Sequence, residues 1–168
     1  GFLISPAPVP KVTSPGIIPV AIDRVDASWA LARDHELSAL GGRKGKRVLV
    51  LGCGSLGSPV AELLARSGIG ELHLLDKEMF EPENCGRHIL GARDLGLSKA
   101  DALAKRLLEL VPDITMKAHH ALAADWIHHV CKPGDYDLIV DCTGESSVRV
   151  MLFHYRDHSL GDCPVVLA

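Results

Sequence analysis

Apolar and polar positions along the chain change rhythm several times, and each rhythm predicts an element. "RVLVLG", residues 47–52, is a short apolar, β-branched run closed by glycine, which reads as a strand. Residues 58–67 then repeat their apolar positions at helical spacing. "ELHLLD" predicts a second strand ending at Asp76. "SKADALAKRLLELVP" predicts a helix opened by a Ser98/Asp101 capping box and stopped at Pro112. "ITMKAHH", "DLIVDCT" and "PVVLA" predict further strands, separated by helical "ALAADWIHHV" and "SSVRVMLFHYRDH". Strands alternating with helices predict an α/β fold: a doubly wound, mostly parallel sheet with helices on both faces.

The first residues do not share this pattern. Pro6, Pro8, Pro10, Pro15 and Pro19 remove amide donors and exclude a helix, so residues 1–22 are expected to form an extended arm or linker. "ASWALARDHELSAL", 27–40, has helical spacing with Trp29 and Leu31 as anchors, and Gly41 and Gly42 are expected to stop it. The expected organisation is therefore an arm over 1–22 and one domain over 23–168. The first residue is Gly, and the last predicted strand has nothing after it, so the domain is expected to be truncated at its C-terminal side.

Composition adds exclusions. A chain of 168 residues, 47% apolar and 23% charged, can bury a real core. A net charge of -3 with a pI near 6.3 offers no broad field to gather nucleic acid or an anionic membrane, so any anion site must be local. The five cysteines are odd in number and scattered, without C-x-x-C, so neither a disulfide framework nor a zinc site is expected. No apolar run reaches membrane-spanning length and no signal peptide opens the chain, which predicts a cytoplasmic protein.

Candidate chemistry starts at "GCGSLG", 52–57, a G-x-G-x-x-G between strand and helix. Gly52 permits the turn, Gly54 lets backbone approach a phosphate, and Gly57 lets helix and strand pack closely. Asp76 follows Gly57 by 19 residues at the end of the next strand, where a carboxylate can accept from ribose hydroxyls. A P-loop is excluded, since "GGRKGKR" has neither the spacing nor the hydroxyl residue. A dinucleotide oxidoreductase needs only these parts. "NCGRH", 84–88, adds Arg87, and Lys99 follows at a helix start; fixed cations outside the turn suit an enzyme that breaks a triphosphate.

The stretch from "VLVLGCGSLGS" through "DKEMFEPENCGRHILG" to "SKADALAKRLLELVP" resembles the ThiF/MoeB/HesA family, relatives of the ubiquitin-activating enzymes. The family pattern is a glycine turn, a strand ending in Asp, N-x-x-R-Q or N-x-x-R-H, then a Lys opening a helix. The variants here are most similar to bacterial ThiF-type proteins fused behind a conjugating-enzyme-like domain. The resemblance implies a Rossmann-like fold that binds ATP, with Gly52, Gly54, Ser55 and Gly57 along the phosphates and Asp76 at the ribose. Asn84, Arg87 and Lys99 would surround the triphosphate, Arg87 and Lys99 in the catalytic role. Asp141 would join the nucleotide site, and Asp141 with Glu145 would hold Mg2+. Where the family has D-x-x-D-N, this chain has "DCTGE", with Gly144 at the second Asp and Glu145 at the Asn.

The implied reaction is attack by the C-terminal carboxylate of a ubiquitin-like or sulfur-carrier protein on the α-phosphate, in a homodimeric enzyme. An NAD-dependent oxidoreductase remains the alternative from the glycines and Asp76, and a non-catalytic nucleotide-binding scaffold the alternative from Gly144. His119/His120 and His128/His129 are read as surface residues, because adjacent side chains diverge on a strand or helix. Arg87 could instead pair with Glu81 or Glu83 at the surface. Arg24 and Arg33 are candidates for an N-terminal arginine that relatives direct at the γ-phosphate.

Overall fold

The computed structural model describes residues 2–5, 21–24, 26 and 37–168. Residues 27–36 of the predicted 27–40 helix, with Trp29, Leu31 and Arg33, lie outside the described residues. β1 (Phe2–Ser5) and β2 (Ala21–Arg24), the latter running past the expected end of the arm at residue 22, pair antiparallel as a two-stranded sheet of their own.

The main sheet has five parallel strands: β3 (Arg47–Leu51), β4 (Glu71–Asp76), β5 (Thr115–His120), β6 (Leu138–Asp141) and β7 (Val165–Leu167). Their spatial order is β5-β4-β3-β6-β7. The chain therefore leaves the central β3 toward β4 and β5, then returns to the other side of β3 for β6 and β7. Helices α1 (Leu37–Lys44), α2 (Gly57–Arg66), α3 (Lys99–Leu110), α4 (Ala123–Asp125) and α5 (Ser146–His154) alternate with these strands as the pattern predicted.

Alternation along β3 and β4 explains the two cores. Val48, Val50, Leu72 and Leu74 meet Ala61 and Ala65 of α2 and Leu103 and Leu107 of α3 on one face. Leu49, Leu51, Leu75 and Ile139 meet Ile127, Val148 and Leu152 on the other. Strands covered on both sides read as continuous apolar runs, which is why they were legible. Truncating a fully buried leucine here costs about 2–5 kcal/mol.

Three local outcomes differ from the expectation. Gly41 and Gly42 do not stop a helix; α1 runs through them to Lys44. Tertiary bonds hold its last turn: the Arg43 guanidinium donates to Ser67 O at 3.0 Å, Lys44 pairs with Asp113 at 3.2 Å, and Gly70 N–H donates to Arg43 O at 3.3 Å. Such contacts outweigh a helix cost of about 1 kcal/mol per glycine. The residues that follow are tied down as well, with Lys46 on Asp137 at 2.9 Å. The segment after α4 widens into a π turn, Trp126–Val130, closed by Cys131 N–H on Trp126 O at 2.9 Å. At α3, Ser98 Oγ accepts from Asp101 N–H at 3.3 Å, the half of the capping box that caps the helix amides.

Gly70 shows how tightly α1 docks, because a Cβ there would lie 1.8 Å from Lys44 O, whereas one at Gly91 meets nothing within 4 Å. Gly70→Ala is expected to lower unfolding free energy by about 1–3 kcal/mol in urea titrations. Gly91→Ala should change it by about 0.5 kcal/mol or less.

Candidate functional site

The C-terminal ends of β3, β4 and β6 meet where the strand order reverses, the crevice in which open α/β sheets bind ligands. A cleft of about 150 Å³ lies there, lined among others by Gly52, Gly54, Asp76, Leu122, Thr143 and Val148. Its volume is below the roughly 300 Å³ at which drug-sized ligands begin to be enclosed. A long ligand would have to leave part of itself outside.

The glycine turn joins the two strands that flank it. Gly52 has φ +83°, and a Cβ there would approach the Cys142 backbone to 3.0 Å. At Gly57 a Cβ would lie 1.8 Å from Gly52 O, so close packing of α2 on the turn requires glycine. Gly54 has open space where a Cβ would point, which leaves room for a ligand to approach the backbone. Gly52 N–H donates to Leu75 O at 2.8 Å, and Cys53 N–H donates to Asp76 Oδ2 at 2.6 Å. Asp76 Oδ1 accepts from Glu78 N–H at 2.8 Å. A carboxylate has about four acceptor sites, so two remain for hydroxyl donors from the cleft. Ser55 is exposed at the rim of the turn.

The "NCGRH" loop is pinned from within. Phe80 and Leu90 bury against Ala102 of α3, fixing both ends of the loop. His88 Nε2 donates to Cys53 O at 2.5 Å, and His88 Nδ1 accepts from Leu90 N–H at 3.0 Å. This histidine ties the loop to the glycine turn, a role the sequence reading did not assign; its place directly after Arg87 was the available signal. Burial holds its imidazole below the ordinary value, against the opposing effect of the Cys53 carbonyl. Asn84 Oδ1 accepts from Glu81 N–H at 2.9 Å and so caps its own short turn, leaving its amide nitrogen out of that cap. Arg87 is exposed, and among the described residues its guanidinium has no ion pair with Glu81 or Glu83.

Lys99 is buried, and its ammonium donates to Glu78 Oε2 at 2.5 Å. Its unfavourable place at a helix N-terminus is thus answered by Glu78, with no external anion required. Neither Lys99 nor Arg87 lines the cleft; Glu78 does, and it is the link between Lys99 and the cleft wall. Sequence gave no sign of this pair, since its members are 21 residues apart.

The two carboxylates assigned to Mg2+ are differently disposed. Asp141 is fully enclosed, its Oδ1 accepting from Thr143 N–H at 2.9 Å and Thr143 Oγ1 at 2.6 Å. Its Oδ2 has no hydrogen bond and lies 3.9 Å from Arg149 Nε. Glu145 lines the cleft, where Lys77 donates to its Oε1 at 2.8 Å. Among the described residues no group of three or more His, Cys, Asp or Glu is gathered for a metal. One sealed and one ion-paired carboxylate do not fit a resident magnesium site. Gly144, between them, has φ +69°.

His119 corrects the surface reading: it is half-buried, with its ring 4.1 Å from Trp126 and its Nε2 3.1 Å from His73 Nδ1. His120, His128 and His129 are exposed. Cys53, Cys131 and Cys142 are buried, and burial pushes all three thiols up, Cys131 to about 12 and Cys142 to about 11. Protonated thiols are poor nucleophiles. No helix among the described residues is long and apolar enough to cross a membrane.

With this geometry in view, residues 35–158 match the ThiF family model. The ATP-dependent ubiquitin transferase-like protein Cap2 of Pseudomonas aeruginosa is 35% identical over 136 residues, covering 79% of this chain and 24% of that protein. The adenylyltransferase and sulfurtransferase MOCS3 of Xenopus laevis is 39% identical over 107 residues, covering 62% and 23%. The chain therefore spans about a quarter of the length of these curated relatives. Among solved structures, the tRNA N6-threonylcarbamoyladenosine dehydratase TcdA of E. coli in complex with AMP superposes with a TM-score of 0.70 at 25% identity, covering 83% of this chain and 57% of that one.

The His88 tether makes stability depend on pH. An imidazole whose folded value lies below its ordinary 6.5 binds its proton first in the unfolded chain. The same sign holds for His73 and His119, so stability is kept above about pH 6.5 and declines as pH falls below it. Thermal midpoints measured from pH 7.5 down to 5.5 should fall progressively. In His88→Gln, whose amide can donate in place of Nε2, the decline should be shallower.

Proposed function

Because the chain belongs to the ThiF family, we propose that it is the ATP-binding part of an adenylyltransferase that activates the C-terminal carboxylate of a ubiquitin-like or sulfur-carrier protein. The observation that carries this reading is the Asp76 carboxylate, held by the Cys53 amide at the reversal point of the sheet beside an open Gly54. The AMP complex of TcdA and the activities in the names of Cap2 and MOCS3 support it from outside.

Charge divides the ligand between two places. Asp76, Glu78 and Glu145 against Lys77 make the cleft acidic, and the Lys99 contact offsets only Glu78. A polyphosphate is repelled there, so the nucleoside end occupies the cleft with ribose hydroxyls on Asp76. The phosphates run over Gly54 to the N-terminus of α2, which has no acidic residue in its first turn. Arg87, unpaired at the surface, closes on them from the "NCGRH" loop. A carboxylate oxygen of the partner attacks the α-phosphorus, the bond to the β-phosphate breaks, and pyrophosphate leaves from an acyl-adenylate. Orientation and charge neutralisation do this work, with no protein nucleophile. Magnesium, when present, arrives chelated by the nucleotide phosphates; no step is assigned to it. A homodimeric, cytoplasmic enzyme is part of the same proposal.

A non-catalytic scaffold is the second reading, favoured by Gly144 where the family's second Asp would stand and by the Lys77 ion pair of Glu145 where its Asn would stand. Pyrophosphate exchange into ATP by the full-length protein with its cognate carrier separates the two. Exchange is expected, and ATP binding without it would favour the scaffold. Arg87→Ala should slow exchange roughly ten- to a hundredfold, the loss of one charge-assisted contact of about 1.5–3 kcal/mol. Asp76→Ala should weaken ATP binding in calorimetry. Tight NADH binding with no exchange would turn the assignment toward an oxidoreductase.

A further inference from the structure

Behind the cleft wall runs a polar chain that the adenylation chemistry does not use. Trp126 Nε1 donates to the Tyr136 hydroxyl at 3.3 Å, and that hydroxyl lies 3.2 Å from His73 Nδ1. His73 Nε2 lies 2.7 Å from Glu71 Oε1, and His119 Nε2 lies 3.1 Å from His73 Nδ1. The donors can be assigned by elimination. Glu71 only accepts, so His73 carries its proton on Nε2 and offers Nδ1 as an acceptor. The Tyr136 hydroxyl accepts from Trp126, which only donates, and so gives its own proton to His73 Nδ1. His119 Nε2–H shares the same acceptor.

Both ends of this arrangement hold one segment. His119 precedes residues 121–124, which line the cleft, and Trp126 follows them. The two rings stack at 4.1 Å, and Trp126 N–H donates to Leu122 O at 3.0 Å. Tyr136 comes from the loop before β6, and His73 from the middle of β4. We propose that His73, His119, Trp126 and Tyr136 are positioning residues for the 121–124 wall, and that their donor order makes nucleotide affinity sensitive to acid. This rests on the nucleotide reading of the cleft.

The acid sensitivity follows from geometry. A protonated His73 presents an N–H at Nδ1: the Tyr136 hydroxyl can rotate to accept it, but the His119 Nε2–H then meets a donor in place of its acceptor, so that contact is lost and the wall loses its anchor on the β5 side. The charged groups around the pair are Glu71, Lys117 and Arg47 on the strands, Asp101 from α3, and Asp135 with Cys131 near Tyr136. Glu71 favours the proton on His73, but burial outweighs it and holds both imidazoles below their ordinary value. The neutral arrangement is therefore the one present at pH 7.

ATP affinity of the full chain, measured by calorimetry between pH 5.5 and 8.0, tests this. Tyr136→Phe keeps the ring and removes the hydroxyl; it is expected to weaken ATP binding about three- to tenfold at pH 7.5. His73→Asn presents a carbonyl near the Nδ1 position and does not titrate. It should bind within about twofold of the unmodified protein at pH 7.5 and lose less affinity at pH 5.5. Comparing variants with the unmodified protein at each pH cancels the titration of ATP and of His88. Equal affinity of Tyr136→Phe and the unmodified protein, or an undiminished acid loss in His73→Asn, would overturn the inference and leave the nucleotide reading standing. Failure of the unmodified protein to bind ATP would remove both.

Discussion

The bond from the Cys53 amide to the Asp76 carboxylate holds the site together. It spans 2.6 Å between the turn after β3 and the last residue of β4, and the other Asp76 oxygen takes the Glu78 amide. One side chain thereby sets both the turn and the strand end that, in the proposed function, face a phosphate and a ribose. It also lies one residue from Lys77 and two from Glu78, which govern the two ion pairs of the cleft. A charge-assisted bond of this kind is worth about twice a neutral one. Replacing the carboxylate leaves the Cys53 amide buried without its acceptor and frees both the glycine turn and the segment after β4.

Around that bond the molecule separates acid from base. The acids collect in the cleft, Lys99 sits behind one of them, and Arg87 stands outside on a loop anchored by Phe80, Leu90 and His88. In the proposed function this separation orients the nucleotide, with its nucleoside end in the cleft. The same logic explains why a lysine tolerates burial at a helix start: Glu78 supplies the anion that the helix end does not.

Legibility in the sequence followed the range of the interactions. β3 and β4 were readable because both of their faces are buried, and α2 and α3 because one face of each packs on the sheet. The glycine turn between strand and helix and the place of Asp76 at a strand end were readable because their spacing is local. The path of α1 through Gly41 and Gly42 was not, since its last turn is held by Ser67, Gly70 and Asp113. His88, Glu78 and the Lys77–Glu145 pair were missed for the same reason: their partners are distant in sequence and carry no motif. His119 was misjudged because neighbouring histidines diverge as expected, and one of them then turns inward onto Trp126.

A crystal structure of the full chain with a non-hydrolysable ATP analogue tests the central claim most directly. The account predicts adenine in the cleft against Leu122 and Val148, ribose hydroxyls on Asp76, and phosphates over Gly54 within reach of Arg87. A nucleotide bound elsewhere, or phosphates seated among Asp76, Glu78 and Glu145, would contradict it.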